Sequence, residues 1–508
     1  MGFFANADLP VLVAFALYLL LMLGIGFYFT NKSKKMSDYF LAGRGLNSWV
    51  TAMSAQASDM SGWLLMGLPG AAYASGMGNY WIAIGLAIGT ILNWAFVAKP
   101  LRRFTEAAGD SITIPEYLQN RFKANSPVVR LVCAAVIFIF FLVYTTSAFV
   151  SGGKLFQVVF NIDTTNVTYT KMAVVISAVI IVAYTFLGGF NAVAWTDLIQ
   201  GLLMIMAIVA LPIALVTSIQ NFSPEMIMET TKLGSDDTTG YASLFAGRSA
   251  NSIISDLAWA LGYFGMPHIL VRFMAIKDAK SVKKSAIIAI VWVIISLAAA
   301  VLIGILGRVY FERTVGQNLT DAEFELVFIK VVKHMFPSAL AGVFLSAVLA
   351  SIMSTADSQL LVTASAVVND FFKVIVKKEV SDKTLMWISR GTVMVISIIA
   401  CILALDPKDS IMGIVSNAWA GFGAAFGPAI LLSLYWKRLT LKGTVAGIIG
   451  GAGTVLLWDN ILHLGGVMYS IVPGFVVSII LTVVVSLIDK EPSDEVKKLF
   501  DEASAKQQ

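Results

Sequence analysis

The chain has 508 residues, of which 58% are hydrophobic and only 13% are charged, and its mean hydropathy is +0.81. Apolar runs recur along the whole length, which excludes a soluble enzyme or binding protein and predicts a polytopic membrane protein. The net charge of +5 comes from basic residues in alternate loops, so it does not indicate a nucleic-acid partner. With two cysteines and three histidines, all far apart, neither a disulfide framework nor a histidine metal site is expected.

Thirteen membrane spans are predicted from the apolar runs. No basic residue precedes the first run, so it is expected to be a retained helix and not a signal peptide. Lys and Arg concentrate in the loops of one side, which the positive-inside rule makes cytoplasmic; the N-terminus is then outside and the C-terminus cytoplasmic. The predicted limits are 8–30, 46–74, 80–99, 128–158, 172–190, 193–218, 250–271, 284–310, 338–370, 385–405, 409–435, 440–458 and 465–488.

Residues 54–70, in the second span, place an aspartate, three serines and three glycines in an apolar setting. Asp59 is the only charged residue between Arg44 and Lys99, and an ionisable residue inside a span points to function. The small polar residues predict a broken helix, which is tolerated at that depth only inside protein or beside a cavity. Carbonyls, hydroxyls and a carboxylate suit a small hard cation, so we predict a Na⁺ site beside a small substrate. Capping of the second half-helix by Asp59 is the alternative.

A second interrupted helix is predicted at 251–275, where Gly262, Gly265 and Pro267 stand among apolar residues. Pro267 removes a backbone donor and breaks the hydrogen-bond ladder. The two broken spans are the second and the seventh, so they would enter the membrane from opposite faces. Paired broken helices in two inverted five-helix repeats mark the binding site of a transporter.

This repeat scheme divides the chain into six parts. The outer loop after the sixth span is expected to cover the entrance, and the loop at 311–337 to lie on the membrane surface as a helix. The parts are the first helix with its inner loop (1–45), the first repeat (46–218), an outer loop (219–249), the second repeat (250–435), two final spans (436–488) and a short cytoplasmic tail (489–508).

Ser351, Ser354 and Thr355 in the ninth span have i, i+3, i+4 spacing and share one helix face. Taken alone, such hydroxyls bond back to their own helix or join helices together. Beside a broken second span, we interpret them as part of the ion site.

Aromatic residues near the predicted breaks are either core residues or substrate contacts; they are Tyr144, Trp259 and Tyr263. The other intramembrane acids are not predicted to be ligands. Asp197 is expected in the first turn of a helix near the cytoplasm, Asp256 near the outer end of the seventh span, and Asp357 paired with a basic residue.

Five segments resemble motifs of the sodium/solute symporter family, in its proline-transporting bacterial members. They are ASDMSGWLLMGLPG (57–70), FLGGFNAVAWTDLIQG (186–201), GYFGMPHILVRFMA (262–275), MSTADSQLLV (353–362) and AWAGFGAAFGP (418–428). The resemblance runs from the first span to the thirteenth. It implies an all-α integral membrane protein with thirteen transmembrane helices and the leucine-transporter-like fold, which imports L-proline with Na⁺ across the bacterial cytoplasmic (inner) membrane.

The resemblance also implies a sodium site. Its ligands are the carbonyls of Ala57, Met60 and Ser351 and the hydroxyls of Ser354 and Thr355. Ser351 departs from the family member compared, which has Ala there; the change matters little if only the carbonyl binds.

Further roles follow from the same resemblance. Asp59 matches an acid linked to the ion, and Arg44 matches a basic residue on the inner side that acts in coupling. The residues expected around the substrate are Trp63, Tyr144, Trp259, Tyr263 and Pro267.

The expected partners are L-proline, Na⁺ and membrane lipid, with no nucleic acid and no obligate protein partner. A sodium symporter for another small solute, such as pantothenate, a sugar or a carboxylate, is the nearest alternative. A membrane sensor is disfavoured because no signalling domain is expected in the tail. A membrane-embedded hydrolase is disfavoured because no histidine is near the hydroxyl stripe, and no GxxxxGK[ST] run indicates ATP drive.

Overall fold

The regular structure of the protein, given by a computed structural model, is helical throughout the described residues, 8–30, 36–163, 165–185, 189–232, 234, 240–376 and 380–505. The first half contains α1 (Leu9–Thr30), α2 (Met36–Leu41), α3 (Ser48–Asp59), α4 (Leu68–Ser75), α5 (Tyr80–Leu92), α6 (Lys99–Ala107), α7 (Ile114–Arg121), α8 (Val128–Val159), α9 (Val167–Thr185), α10 (Phe190–Ser218) and α11 (Glu225–Met228).

The second half begins in the outer loop region. It contains α12 (Ala250–Leu257), α13 (Pro267–Ala275), α14 (Val282–Tyr310), α15 (Val327–Met335), α16 (Ser338–Ser365), α17 (Lys373–Val376), α18 (Asp382–Ala404), α19 (Ile411–Tyr435), α20 (Leu441–Asn460), α21 (Ile471–Ile488) and α22 (Asp494–Ala505). Short 3₁₀ helices lie at Ala42–Arg44, Gly76–Asn79, Ala258–Phe264 and Phe324–Leu326, and π-helical segments at Trp63–Gly67, Asn93–Ala98, Phe311–Val315 and Ala366–Phe372.

Eleven described helices are long and apolar enough to cross a membrane. This count is lower than the thirteen predicted spans for two reasons. Residues 63–107 are helical without a gap and so count once, as 45 residues, although the chain turns at Gly76 (φ 82°, ψ −154°) between the end of one predicted span and the whole of the next. The predicted seventh span consists of two short α-helices, α12 and α13, with a 3₁₀ helix between them, and none of the three reaches spanning length.

The predicted interruption of the second span is confirmed and lies at Met60 and Ser61, which we call the first break. α3 ends at Asp59, and Met60 leaves the helical region with φ −89° and ψ 82°. The chain resumes as a π-helical turn at Trp63, a type of irregularity that is frequent at functional sites.

The interruption of the seventh span is also confirmed, at Gly265 and Met266, which we call the second break. A 3₁₀ helix ends at Phe264, and Pro267 starts α13 at a position where its missing N–H costs nothing. Gly265 is required here because a Cβ atom would lie 2.2 Å from the carbonyl oxygen of Phe422 in α19. The second break can therefore pack directly against α19.

The two breaks lie inside the bundle. α3 packs against α10, α13, α14 and α16, and the 3₁₀ segment before the second break packs against α19 and α5. Apolar residues such as Leu20, Ile287 and Ile398 are exposed on the outer helices, as expected for side chains that face the hydrocarbon of the membrane. The polar breaks are thus surrounded by protein.

Two peripheral helices pack against the bundle. In α15, Val327, Phe328 and Val331 are fully buried against α4, α14 and α16. The tail forms an ordered helix, α22, whose Phe500 ring contacts Phe104 in α6 at a centroid distance of 5.5 Å. Both helices are amphipathic, and burial of their apolar faces stabilises them.

Candidate functional site

The hydroxyl stripe of α16 meets the last turn of α3. The Ser354 hydroxyl donates to the Ala57 carbonyl at 2.7 Å and lies 3.2 Å from the Ser351 carbonyl, while the Thr355 hydroxyl lies 3.4 Å from the Ala57 carbonyl. All four residues are fully buried. We call these atoms the oxygen cluster: the carbonyl oxygens of Ala57 and Ser351, Ser354 Oγ and Thr355 Oγ1.

The first break is what frees the Ala57 carbonyl. In a continuous helix its partner would be the N–H of Ser61, but that group donates to the Asp59 carbonyl at 3.1 Å. Likewise the N–H of Leu64, the helical partner of the Met60 carbonyl, donates to Ser61 at 3.0 Å. The break therefore releases two of the three carbonyls that the resemblance assigns to Na⁺, those of Ala57 and Met60, and hydroxyls of α16 contact the Ala57 carbonyl.

Ser351 contributes through its backbone. Its own hydroxyl donates to the Val348 carbonyl at 2.8 Å, within α16. The extra hydroxyl relative to Ala is thus occupied by its own helix, and its carbonyl is the oxygen that belongs to the cluster.

Asp59 joins the two interrupted helices. Its Oδ2 accepts a hydrogen bond from the Tyr263 hydroxyl at 2.6 Å, and Oδ1, fully buried, has no partner among the described residues. The cap of the second half-helix is instead the Ser61 hydroxyl, which lies 3.4 Å from the N–H of Trp63. The Asp59 carboxylate therefore connects the first broken helix, α3–α4, to the second, α12–α13, and does not act as a helix cap.

Aromatic side chains stand around this link. The Trp63 indole donates to the Asp59 carbonyl at 3.1 Å, and the Trp419 indole donates to the Trp259 carbonyl at 2.8 Å. The Tyr263 ring meets the Trp419 ring edge to face at 5.0 Å. Trp419 is not among the predicted site residues, although it lies in the AWAGFGAAFGP motif.

The remaining predicted substrate residues, Tyr144 and Pro267, also lie beside the breaks. The Tyr144 hydroxyl lies beside Ser61 and Trp63 but completes no hydrogen bond within the described chain. Its ring contacts the buried His268 ring at 6.3 Å, and His268 directly follows Pro267 at the start of α13. The structure thus places all five aromatic and proline residues along the two broken helices or on α8 beside them.

A second buried polar network lies one turn below the oxygen cluster, and sequence reasoning missed it. Arg272 pairs with Asp197 at 3.1 Å and donates to the hydroxyls of Ser54 and Ser358 at 3.0 and 2.5 Å; Ser54 in turn donates to Asp197 at 2.6 Å. All four residues are at most 1% exposed. The expectation for Asp197 was therefore wrong: α10 begins at Phe190, which places Asp197 beyond the first turn and inside the bundle.

The other two intramembrane acids have different surroundings. Asp256 forms an ion pair with Arg248 and is partly exposed, as expected for the outer end of its helix. Asp357 is fully buried and accepts from the Ser358 hydroxyl at 3.2 Å; no basic side chain of the described residues comes within ion-pair distance of it. The expected salt bridge of Asp357 is therefore not found.

Arg44 stands at the inner end of both broken helices. It pairs with Asp110 at 2.8 Å and donates to the carbonyls of Met274 and Ser111, both at 2.9 Å. Close by, Leu46 and Ile276 form an isolated parallel bridge. Arg44 therefore ties the segment before α3 to the end of α13 and to the loop between α6 and α7.

Known proteins resemble this chain in both sequence and fold. The chain is 44% identical to an osmoregulated proline transporter of Bacillus subtilis over 97% of this chain and 98% of the relative. It is 42% identical to a sodium/proline symporter of Escherichia coli, covering 98% and 96% respectively. A solved Na⁺-coupled sialic acid symporter, in a substrate-bound outward-open state, shares the fold with a TM-score of 0.77 at 21% identity, covering 96% of this chain and 99% of that one.

A family model for sodium:solute symporters matches residues 39–451, a range that includes the first break, the second break and the oxygen cluster. Together with relatives above 40% identity along nearly the full length, this match assigns the chain. The protein belongs to the sodium:solute symporter family.

Proposed function

We propose that this protein is a secondary active transporter that imports L-proline together with Na⁺ across the cytoplasmic membrane by alternating access. The observation that carries the proposal is the contact between the Ser354 hydroxyl and the freed Ala57 carbonyl, beside the Asp59–Tyr263 bond. The sodium/proline symporters at 41 and 42% identity support the same substrate and ion.

Na⁺ binds at the oxygen cluster, completed by the Met60 carbonyl. Hard cations take oxygen ligands, and four of the five proposed oxygens already converge from α3 and α16. When the ion binds, the Ser354 and Thr355 hydroxyls turn their lone pairs to it and release the Ala57 carbonyl for coordination. Both helices then become fixed to each other through the ion.

L-Proline binds beside this cluster, between the two breaks. Its compact apolar ring is held by the aromatic faces of Trp63, Tyr144, Trp259 and Tyr263 and by Pro267. Its carboxylate is taken by freed backbone N–H groups near the breaks, because the N-terminal ends of half-helices favour an anion.

Coupling passes through Asp59. Na⁺ binding orders the last turn of α3, which positions the Asp59 carboxylate and, through their 2.6 Å bond, the Tyr263 hydroxyl. Proline then meets a pre-organised aromatic wall, and by linkage proline raises Na⁺ affinity by the same factor. Arg44 acts at the inner end, where its bonds to Met274 and Ser111 must separate when the site opens to the cytoplasm.

The proposed architecture is the leucine-transporter-like fold with thirteen spans. Two of these are the broken helices α3–α4 and α12–α13, five spans apart, so that spans 2–6 and 7–11 form inverted repeats (46–218 and 250–435). The N-terminus is outside and the C-terminus cytoplasmic, as the distribution of basic loops indicates. Rocking of one repeat bundle against the other exposes the site alternately.

The test is uptake of labelled L-proline into proteoliposomes of the purified protein. Accumulation against a gradient is expected only with an inward Na⁺ gradient. Competition by unlabelled pantothenate, sugars and carboxylates gives the substrate range. Accumulation of one of these solutes, with none of proline, would contradict the substrate assignment while keeping the ion site.

A further inference from the structure

A narrow cavity lies on the inner side of Pro267, between α7, α8, α13 and α16. Its walls are mostly aliphatic, including Ile114, Ile137 and Leu361, and its polar lining consists of Thr113, Ser365 and Asp370. Its volume of about 20 Å³ exceeds the roughly 10–15 Å³ that one water requires. One water or one unhydrated Na⁺ fits this space, whereas an amino acid does not.

Asp370 is the charged group of this cavity, and it is fully buried. Its Oδ1 accepts from the Thr113 hydroxyl at 3.0 Å and from Arg130 at 2.9 Å. Its Oδ2 is buried without a hydrogen-bond partner anywhere in the described chain. The π-helical segment Ala366–Phe372 carries Asp370, and single π-helical turns within α-helices occur frequently at functional sites.

We propose that Asp370 is the centre of a second, inner cation site, which Na⁺ occupies transiently on its way from the oxygen cluster to the cytoplasm. The inference rests on the proposed Na⁺-coupled function. Asp370 follows Thr355 by fifteen residues on one continuous helical run, about 22 Å at 1.5 Å per residue. The same run therefore carries the main site in the middle of the bundle and a carboxylate at its inner end.

The charge balance suits a transient site. Arg130, whose side chain is 16% exposed, already pairs with Asp370 and weakens the attraction of this carboxylate for a cation, so a cation that gains its oxygen ligands is held only weakly. A site on a conduction path must bind well enough to be entered and weakly enough to be left. Asp370 Oδ2, Thr113 Oγ1 and Ser365 Oγ supply the hard oxygens that Na⁺ requires.

The proline ammonium also carries one positive charge, so it is the other cation that the Asp370 carboxylate attracts. The cavity volume favours Na⁺, because the proline ring would have to displace Ile114 or Leu361 to bring its ammonium to Asp370. The experiment separates the two cations by varying them independently at the inner face.

The test compares right-side-out and inside-out membrane vesicles that carry wild-type protein, Asp370→Asn, or the double variant R130Q/D370N. In inside-out vesicles, D370N should raise the half-saturating Na⁺ concentration for labelled proline uptake about fivefold, the effect of losing one charged ligand. In right-side-out vesicles the half-saturating Na⁺ concentration should stay within about twofold of wild type. The exposed Asp382→Asn, also near the inner face, is the matched control and should change neither value.

The double variant removes the stranded arginine and keeps the test valid if D370N alone fails to fold. Retention of the inner-face defect in R130Q/D370N supports the cation site; its rescue would mean that Asp370 serves only to neutralise Arg130. A different result would be a changed half-saturating proline concentration in D370N, measured at saturating inner Na⁺, with an unchanged half-saturating Na⁺ concentration. That result would assign the site to the proline ammonium and overturn the sodium assignment. If wild-type vesicles show no Na⁺-driven proline uptake, the proposed function fails; equal wild-type and D370N values in working vesicles refute the inner site alone.

Discussion

Replacement of Tyr263 by Phe isolates the link between the two broken helices. The change removes one hydroxyl and keeps the ring, so contact of the ring with Trp419 and with a bound substrate is retained. The lost bond is short, 2.6 Å, and both partners are at most 1% exposed. Asp59 would then have neither carboxylate oxygen paired with a described residue, because Oδ1 has no partner already.

The magnitude follows from the kind of bond. A hydrogen bond to a charged group contributes about 1.5–3 kcal/mol, and about 2 kcal/mol corresponds to roughly a 30-fold change in affinity. Because the bond transmits the effect of Na⁺ to the substrate site, the loss should appear in the proline Kd measured with saturating Na⁺. The proline Kd measured without Na⁺ should hardly change.

Isothermal titration of purified protein in detergent measures both constants. Tyr117→Phe is the matched control, since the Tyr117 hydroxyl is also buried and bonds Ser433 at 3.0 Å, on the inner side and away from the breaks. A proline Kd within about threefold of wild type at saturating Na⁺ would refute the reasoning. An equal change with and without Na⁺ would also refute it, because Tyr263 would then contact the substrate without coupling it to the ion.

Three further changes test the site and its surroundings. Thr355→Val should raise the half-saturating Na⁺ concentration for uptake about tenfold. Thr363→Val should not, because the Thr363 hydroxyl donates to the Gln359 carbonyl of its own helix; equal effects would count against the oxygen cluster. Arg272→Gln should lower stability by about 3–5 kcal/mol by stranding buried Asp197, measured as thermal unfolding in detergent. An unchanged melting temperature would show that Asp197 is compensated otherwise. Gly262→Ala should abolish either proline binding or expression of folded protein, since a Cβ there would lie 1.9 Å from the Trp419 indole nitrogen. Normal uptake would contradict the packing of this segment against α19.

The local features of the site could be predicted because they depend on neighbours in the sequence. Glycines and Pro267 mark the second break through their backbone properties, and the spacing of Ser351, Ser354 and Thr355 defines one face of a helix. The acid at Asp59 is conspicuous because nothing else nearby is charged. These features indicated where the chain departs from a regular span and which residues are polar there.

Contacts between distant segments could not be predicted in the same way. The Asp59–Tyr263 and Asp197–Arg272 pairs join residues 204 and 75 positions apart, and periodicity carries no information on such pairings. Asp197 was misplaced because an acid near a predicted helix start normally lies in the first turn. Its helix in fact begins seven residues earlier, at Phe190.

The number of spans depends on how short turns and breaks divide the helices. The predicted boundary near residue 75 coincides with the turn at Gly76, whose φ of 82° and ψ of −154° end α4, but the 3₁₀ helix Gly76–Asn79 leaves no non-helical residue between the two predicted spans. The C-terminal tail contains too few apolar residues for their pattern to predict a packed helix, yet Val496, Leu499 and Ala503 are buried. Packing partners supplied by the rest of the chain decide whether such a segment becomes a helix.

Reciprocal linkage between Na⁺ and proline is the most direct test of the central claim. Titration should measure the proline Kd with zero and saturating Na⁺, and the Na⁺ Kd with zero and saturating proline, on wild-type protein. Our account requires that each ligand strengthens the other by the same factor, of at least about tenfold, and that Thr355→Val reduces this factor. A proline Kd independent of Na⁺ would contradict the claim that the oxygen cluster and the aromatic site are coupled through Asp59.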